Sequence, residues 1–306
     1  MRTRPLVFVL IAQIAVIGVF IALVVTDNLP FVSDDEDGCD AASSQADSVP
    51  RAKVDRFDGR RAFALLRHQV ELGPRPAGSP TSRRLARELR AALPGGRFQR
   101  VPGGLRNVIG SVPGREPGRR ILVGAHYDTK DLPDFVGAND GASGTAVAVE
   151  LARSIGPRIL RPTIVFALFD GEESPRGAPE GRFLEFGLRG SKVAAPRFAD
   201  AEAMILLDFV GEKGLRLPRE LNSTAELWER LLRAAGRVGT GRVFPRRVRG
   251  AISDDHVPFL RRGVPAVDLI DFEFACFHRS GDDLSVVSER SVDAVGESVL
   301  ELLRTM

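Results

Sequence analysis

RRILVGAHYDT, residues 119–129, is the stretch that decides the fold class. An apolar run of this kind, which ends on polar residues beginning with His126, is typical of a strand buried on both faces. Three similar runs follow along the chain, RPTIVFALFDGEE (161–173), AEAMILLDFVG (201–211) and VPAVDLIDF (264–272). Predicted helices follow the first and third of these four runs, at GASGTAVAVELARSI (141–155) and TAELWERLLRAAGRVG (224–239). The alternation predicts an α/β fold with three layers, in which helices cover both faces of a mostly parallel, twisted sheet.

The composition argues against a nucleic-acid-binding protein. The chain has 306 residues, which is enough for one α/β domain with a sizeable core. Its 43 basic and 40 acidic residues give a net charge of +3. The two signs are interspersed rather than gathered into a basic stripe, so we expect no nucleic-acid partner.

The first 25 residues predict a membrane anchor. LVFVLIAQIAVIGVFIALVV, residues 6–25, contains no charge and is long enough to cross the hydrocarbon core of a bilayer. Arg2 and Arg4 precede it, so residues 1–5 are expected in the cytoplasm and the remainder outside it, at the cell membrane. A cleaved signal peptide is the alternative interpretation.

Residues 26–56 are acidic, rich in serine and poor in apolar residues, which predicts a disordered linker. A globular pattern begins at Phe57, so residues 57–306 are predicted to form the catalytic domain. Cys39 lies in the linker and Cys276 in the domain, and the chain has no other cysteine. The sequence leaves open whether these two form a disulfide or remain independent thiols.

Polar residues gather where the predicted strands end. In a parallel sheet these ends meet at one edge, where such folds bind their ligands. Imidazole and carboxylate groups are the ligands that Zn²⁺ takes in hydrolytic sites, with one position left open. The pattern therefore predicts a zinc site. Its candidate residues, at strand ends or in the loops GANDGASG and CFHRSGDD, are His126, Asp140, Glu172, Glu173, Asp208 and His278.

Two local arrangements suggest supporting roles. Asp128 lies two residues after His126, on the same side of an extended segment, where its carboxylate could hold a ring N–H of that histidine. Glu172 and Glu173 are adjacent, which suits a division of labour between them. One carboxylate would bind the metal, while its neighbour stays free to carry a proton.

Taken together, the motifs HYD, ND..SG, DGEE, LLD and the later histidine resemble the M28 zinc aminopeptidases and their relatives, the glutaminyl-peptide cyclotransferases. The resemblance covers residues 57–306 and implies a zinc-exopeptidase-like fold. DDHVPFLRRGVP (254–265) and LLDFVG are more similar to the cyclotransferase branch, especially its bacterial members. The resemblance implies that the substrate is a peptide or protein N-terminus.

The resemblance also implies roles for individual residues. Asp140, Glu173 and His278 match the primary zinc ligands, and Glu172 matches the general acid and base. His126 and Asp208 match the second zinc position of the peptidases, whereas a single zinc is expected for the cyclases. With two ions bound, Asp140 would bridge them.

The stretch DDHVPFLRRGVP bears on the choice of reaction. Asp254 matches a cyclase aspartate that shares a proton network with Glu172 and Asp208, and Asp255 and His256 would support it. Phe277 stands where cyclases carry a tryptophan, and it is predicted as an apolar wall of the substrate pocket.

Three interpretations of function follow. The favoured one is conversion of an N-terminal glutamine to pyroglutamate with loss of ammonia. The alternative is an aminopeptidase that hydrolyses the first peptide bond, which the missing tryptophan favours. A membrane-tethered binding module with an inactive site is the third, and it ranks last because the sequence lacks none of the expected ligands.

Overall fold

The computed structural model describes residues 36–179 and 181–306. Its described part contains one six-stranded sheet in the order β1-β2-β4-β3-β5-β6. Strands β4, β3, β5 and β6 run parallel to one another, and β1 and β2 extend one edge in antiparallel fashion. The strands are β1 (Arg97–Val101), β2 (Leu105–Val112), β3 (Glu116–His126), β4 (Pro162–Phe169), β5 (Ala203–Leu207) and β6 (Ala266–Leu269).

The helices begin where the sequence supplies side-chain caps. Asp58 accepts a hydrogen bond from the Arg61 amide at the start of α2, and Ser79 does the same for Ser82 at the start of α3. The described α-helices are α1 (Glu36–Ser44), α2 (Gly59–Glu71), α3 (Pro80–Ala92), α4 (Gly144–Ser154), α5 (Phe183–Phe186), α6 (Arg189–Ala194), α7 (Ala225–Val238), α8 (Val257–Leu260) and α9 (Glu289–Arg304).

Both faces of the sheet are covered, as the alternation of apolar runs predicts. Ile121 and Val123 of β3 belong to a large core shared with α2, α3, α4, α7 and α9. Leu122 points to the opposite face, where a smaller core includes residues of α6 and α8. The mixed α/β fold is therefore confirmed, with the addition of antiparallel strand β1, which the apolar pattern did not indicate.

Part of the predicted linker is ordered structure. Residues 36–44 form α1, and Cys39 is joined to Cys276 by a disulfide. Lys213 Nζ donates a hydrogen bond to the carbonyl oxygen of Ser43 at 2.9 Å. Over residues 36–56 the prediction of disorder is corrected, because a covalent link and buried contacts hold this segment against the domain.

The predicted membrane location is also corrected. The proposed anchor, residues 6–25, lies outside the described residues. Within residues 36–179 and 181–306, no helix combines the length and the apolar character that crossing a bilayer requires.

Gly144, the first residue of α4, lets this helix approach the sheet. A Cβ atom there would lie 2.0 Å from the carbonyl oxygen of Leu207, at the end of β5. We expect Gly144→Ala to lower the free energy of unfolding by about 3 kcal/mol, because backbone on both sides must move. Chemical denaturation measures this change.

Gly236 provides the matched control. It lies exposed within α7, and nothing stands within 4 Å of the position that its Cβ would take. Gly236→Ala should stabilise the protein by about 0.5–1 kcal/mol through helix propensity. Equal stability of the two variants would contradict the close-approach explanation.

Candidate metal centre

The predicted site residues converge at the carboxyl edge of the parallel strands. His126 ends β3, and the two glutamates follow β4 after a turn at Gly171. Asp208 follows β5 directly, and His278 lies in the long segment after β6. Asp140 lies in the irregular turn Ala138–Ser143 that leads into α4.

Asp140, Glu173 and His278 form the first group of potential metal ligands. One ligand atom from each lies within 4.8 Å of the others. His278 Nε2 is 3.0 Å from Glu173 Oε1 and 3.5 Å from Asp140 Oδ2. These separations match the edge of a zinc tetrahedron, about 3.4 Å for bonds of about 2.1 Å. Among the described residues no donor hydrogen-bonds Asp140 Oδ2, although this atom is buried. The group therefore fits a zinc ion.

His126, Asp140 and Asp208 form a second group. His126 Nε2 lies 3.1 Å from Asp140 Oδ1 and 3.2 Å from Asp208 Oδ1. The two oxygens of Asp140 thus face different histidines, one in each group. This arrangement could hold two ions with Asp140 between them.

Asp128 has a different contact from the predicted one. His126 Nδ1 lies 3.1 Å from the carbonyl oxygen of Asp128, and the nearer carboxylate oxygen is 3.8 Å away. The carboxylate instead accepts the amide N–H groups of Gly171, Glu172 and Glu173 at 2.9, 3.2 and 3.3 Å. Asp128 therefore orients the turn that carries both glutamates.

The two glutamates differ in their electrostatic surroundings. Burial pushes the pKa of Glu173 upward, but the hydrogen bond from His278 and the nearby Lys130 lower it to about 2. Burial, and then the charge of Glu173, raise the pKa of Glu172 well above its usual range. Opposite shifts in adjacent carboxyl groups assign them different tasks. Glu173 stays anionic, whereas Glu172 can hold a proton.

An open cavity of about 830 Å³ lies over this edge of the sheet. Glu172 lines it, and no hydrogen bond or ion pair within the described part of the chain engages its carboxylate. Asp254 lines the same cavity and is among the charges that raise the pKa of Glu172. Phe277 stacks on His278, with ring centroids 3.8 Å apart, and lines the same cavity.

The other two residues of the DDH stretch point elsewhere. Asp255 and His256 are buried and do not line the cavity. The two ring nitrogens of His256 face Asp268 and Glu220, each at 3.5 Å. One ligand atom each from Asp254, His256 and Asp268 also lies within 4.8 Å of the others. Asp268, which the sequence analysis did not single out, therefore lies close to both Asp254 and His256.

Sequence reasoning also missed Lys130. Its Nζ donates to Glu173 Oε2 at 2.9 Å, so it restrains the oxygen that does not face His278. The lysine follows directly after HYDT, and its proximity to the strand end was the available signal. Because Lys130 engages Oε2, Oε1 is the oxygen of Glu173 that remains for a metal.

Comparisons with known proteins agree with this geometry. The sequence profile of peptidase family M28 matches residues 107–303. The chain is 30% identical over 213 residues to the glutaminyl-peptide cyclotransferase of Bos taurus. The aligned region covers 57% of this chain and 59% of that protein. It thus spans less than two thirds of that relative's length.

Two solved structures are similar over most of this chain. The glutaminyl cyclase of Porphyromonas gingivalis shares 30% identity and a TM-score of 0.71, over 82% of this chain and 99% of that one. A Zn-dependent exopeptidase of Parabacteroides distasonis shares 26% identity and a TM-score of 0.70, over 85% of this chain and 100% of that one. The same fold therefore occurs in a protein named as a glutaminyl cyclase and in one named as a Zn-dependent exopeptidase.

Proposed function

The chain belongs to peptidase family M28, and on that premise we propose that it is a zinc-dependent enzyme acting on peptide or protein N-termini. The reaction that we favour converts an N-terminal glutamine to pyroglutamate and releases ammonia. The observation that supports this proposal is the different bonding of the two adjacent glutamates. Glu172 lines the cavity with a free carboxylate, whereas the carboxylate of Glu173 is held by His278 and Lys130. The names of the bovine and bacterial relatives favour the same reaction.

The proposed zinc ligands are Asp140, Glu173 and His278. Three protein ligands leave one position of a tetrahedral ion open toward the cavity. When bound there, zinc supplies a Lewis acid that polarises the carbonyl group under attack. His126 and Asp208 would hold a second ion together with Asp140.

Glu172 carries the proton in the proposed reaction. Its carboxylate accepts a proton from the α-amine of the substrate as this nitrogen attacks the γ-carbonyl carbon of the glutamine side chain. It then returns the proton to the departing ammonia, so no net proton is left on the enzyme. Asp254 lies in the same cavity, and its negative charge favours the protonated form of Glu172. Phe277 supplies an apolar wall that orients the substrate beside His278.

Aminopeptidase activity is the second candidate. The group formed by His126, Asp140 and Asp208 favours it, because paired ions that share a carboxylate suit hydrolysis. In that case Glu172 would accept a proton from the attacking water and pass it to the leaving amine. The scissile bond would be the first peptide bond rather than the glutamine side-chain amide.

Mass spectrometry of one peptide separates the two reactions. The full chain is incubated with a peptide that begins with glutamine, and in parallel with the same peptide beginning with leucine. We expect the first to lose one ammonia while its residue count stays the same, and the second to remain unchanged. Prior removal of zinc by a chelator should abolish turnover, and added zinc should restore it.

The other outcomes are equally informative. Release of the first residue from either peptide would identify an aminopeptidase. Turnover that survives complete removal of metal would contradict the zinc proposal for both reactions.

A further inference from the structure

Asp282 joins the two loops that carry Asp140 and His278. It follows His278 by four residues, and its side chain is fully buried. Its Oδ1 accepts the amide N–H of Asn139 at 2.7 Å, and its Oδ2 accepts that of Asp140 at 3.0 Å. Its backbone carbonyl accepts the amide N–H of Ala138 at 3.1 Å. Asp282 therefore accepts hydrogen bonds from the backbone N–H groups of three consecutive residues, the last of which, Asp140, is a proposed zinc ligand.

The loop that Asp282 holds has little conformational preference of its own. Gly137 and Gly141 flank Asp140 with φ values of 53° and 90°, in the region that favours glycine. Asp140 itself has φ −82° and ψ 99°, which interrupts the helical turn around it. Without an external partner, the backbone at Asp140 could adopt many conformations.

A buried arginine holds the preceding part of the same loop. Arg75 is fully buried and donates to the carbonyl oxygens of Val136 and Gly137 at 2.7 and 3.2 Å. It thus fixes the entrance of the loop, while Asp282 fixes its centre. His278 has φ 52°, an unusual value for a residue other than glycine, so its own position also depends on surrounding contacts.

We propose that Asp282 is a positioning residue that sets the spacing between Asp140 and His278 and thereby the affinity of the site for zinc. It does not touch the metal. Its hydrogen bonds transmit the position of the His278 loop to the backbone of Asp140. This inference rests on the proposed zinc site, but it does not depend on which reaction the site catalyses.

The test measures zinc affinity by competition with a chromogenic chelator. An asparagine side chain has a single acceptor oxygen, so its NH2 group would face the backbone N–H of either Asn139 or Asp140 and that hydrogen bond would be lost. Asp282→Asn should therefore weaken zinc binding by about tenfold, and Asp282→Ala by about 100-fold, the range found when groups that orient metal ligands are removed. The visible spectrum of the Co²⁺-substituted protein should change in Asp282→Asn, because it reports ligand geometry.

Two controls separate positioning from general stability. Glu297 is also a buried carboxylate that accepts two backbone amides, those of Arg56 and Phe57, but it lies on α9 away from the cavity. Asp283 is the neighbour of Asp282, and its Oδ1 accepts the amide of Ser285. Glu297→Gln should lower thermal stability, and neither Glu297→Gln nor Asp283→Asn should change zinc affinity or the Co²⁺ spectrum.

The outcomes distinguish this inference from the proposed function. If the unaltered chain binds no zinc, the proposed function fails. If it binds zinc and Asp282→Asn binds equally tightly with the same Co²⁺ spectrum, the positioning role is refuted. If Glu297→Gln weakens zinc binding as much as Asp282→Asn does, the effect is one of stability and the inference is likewise overturned.

Discussion

Glu172→Gln should reduce kcat/KM by between about 100-fold and about 10,000-fold, the usual contribution of general acid–base catalysis. Glutamine keeps the size of the side chain but cannot accept and return a proton. Glu172 belongs to none of the potential metal-ligand groups, and among the described residues its carboxylate has no hydrogen bond or ion pair, so zinc content and thermal stability should be retained. Initial rates on a glutamine-initiated peptide, measured together with zinc content, check this expectation.

Two substitutions of the same type calibrate that result. Glu173→Gln removes the carboxylate that pairs with His278 and Lys130, so it should lose zinc as well as activity. Glu226→Gln, in the first turn of α7, should change neither quantity. If Glu172→Gln retained more than a tenth of the activity, the proton would have to be carried by another group, and Asp254 would be the next to test.

Loss of the Cys39–Cys276 disulfide should lower the free energy of unfolding by about 3 kcal/mol, within the range measured for removal of native disulfides. The two cysteines are 237 residues apart, so the link restricts a very long loop of the unfolded chain. For a domain of this size we expect the double variant Cys39→Ser/Cys276→Ser to melt about 6–12 °C lower. Thermal unfolding followed by circular dichroism measures this difference.

The composition of the chain supplies the control. It has only two cysteines, so a reductant can break no other disulfide in the protein. The reductant should shift the unaltered protein toward the melting temperature of the double variant and leave the double variant unchanged. An unchanged melting temperature after thiol titration has shown complete reduction would contradict the predicted stabilisation.

Local pattern was enough to predict most of the fold. Apolar runs mark β3, β4, β5 and β6 because a strand buried on both faces must be apolar throughout. The polar residues that follow these runs had to meet at one edge, since parallel strands end together. The short, Arg-flanked strand β1, RFQRV, escaped notice because its sequence lacks such a run.

The linker shows where local pattern fails. Residues 36–56 have the composition of a disordered segment, yet α1 and Cys39 pack against the domain. Composition reports how much apolar surface a segment can bury by itself, and it does not register a covalent link to a distant residue. The disulfide and contacts with the domain, including the buried side chain of Val49, hold the segment in place.

By itself the sequence determined the four parallel strands of the sheet, the edge where the site lies and the residue types that meet there. All of these depend on the period and polarity of short segments, which are local properties of the chain. Only the tertiary structure decided which atoms face one another, including the two oxygens of Asp140 toward different histidines and the carboxylate of Asp282 toward Asp140. These contacts join residues that are far apart in the chain, and their geometry is set by how the loops pack.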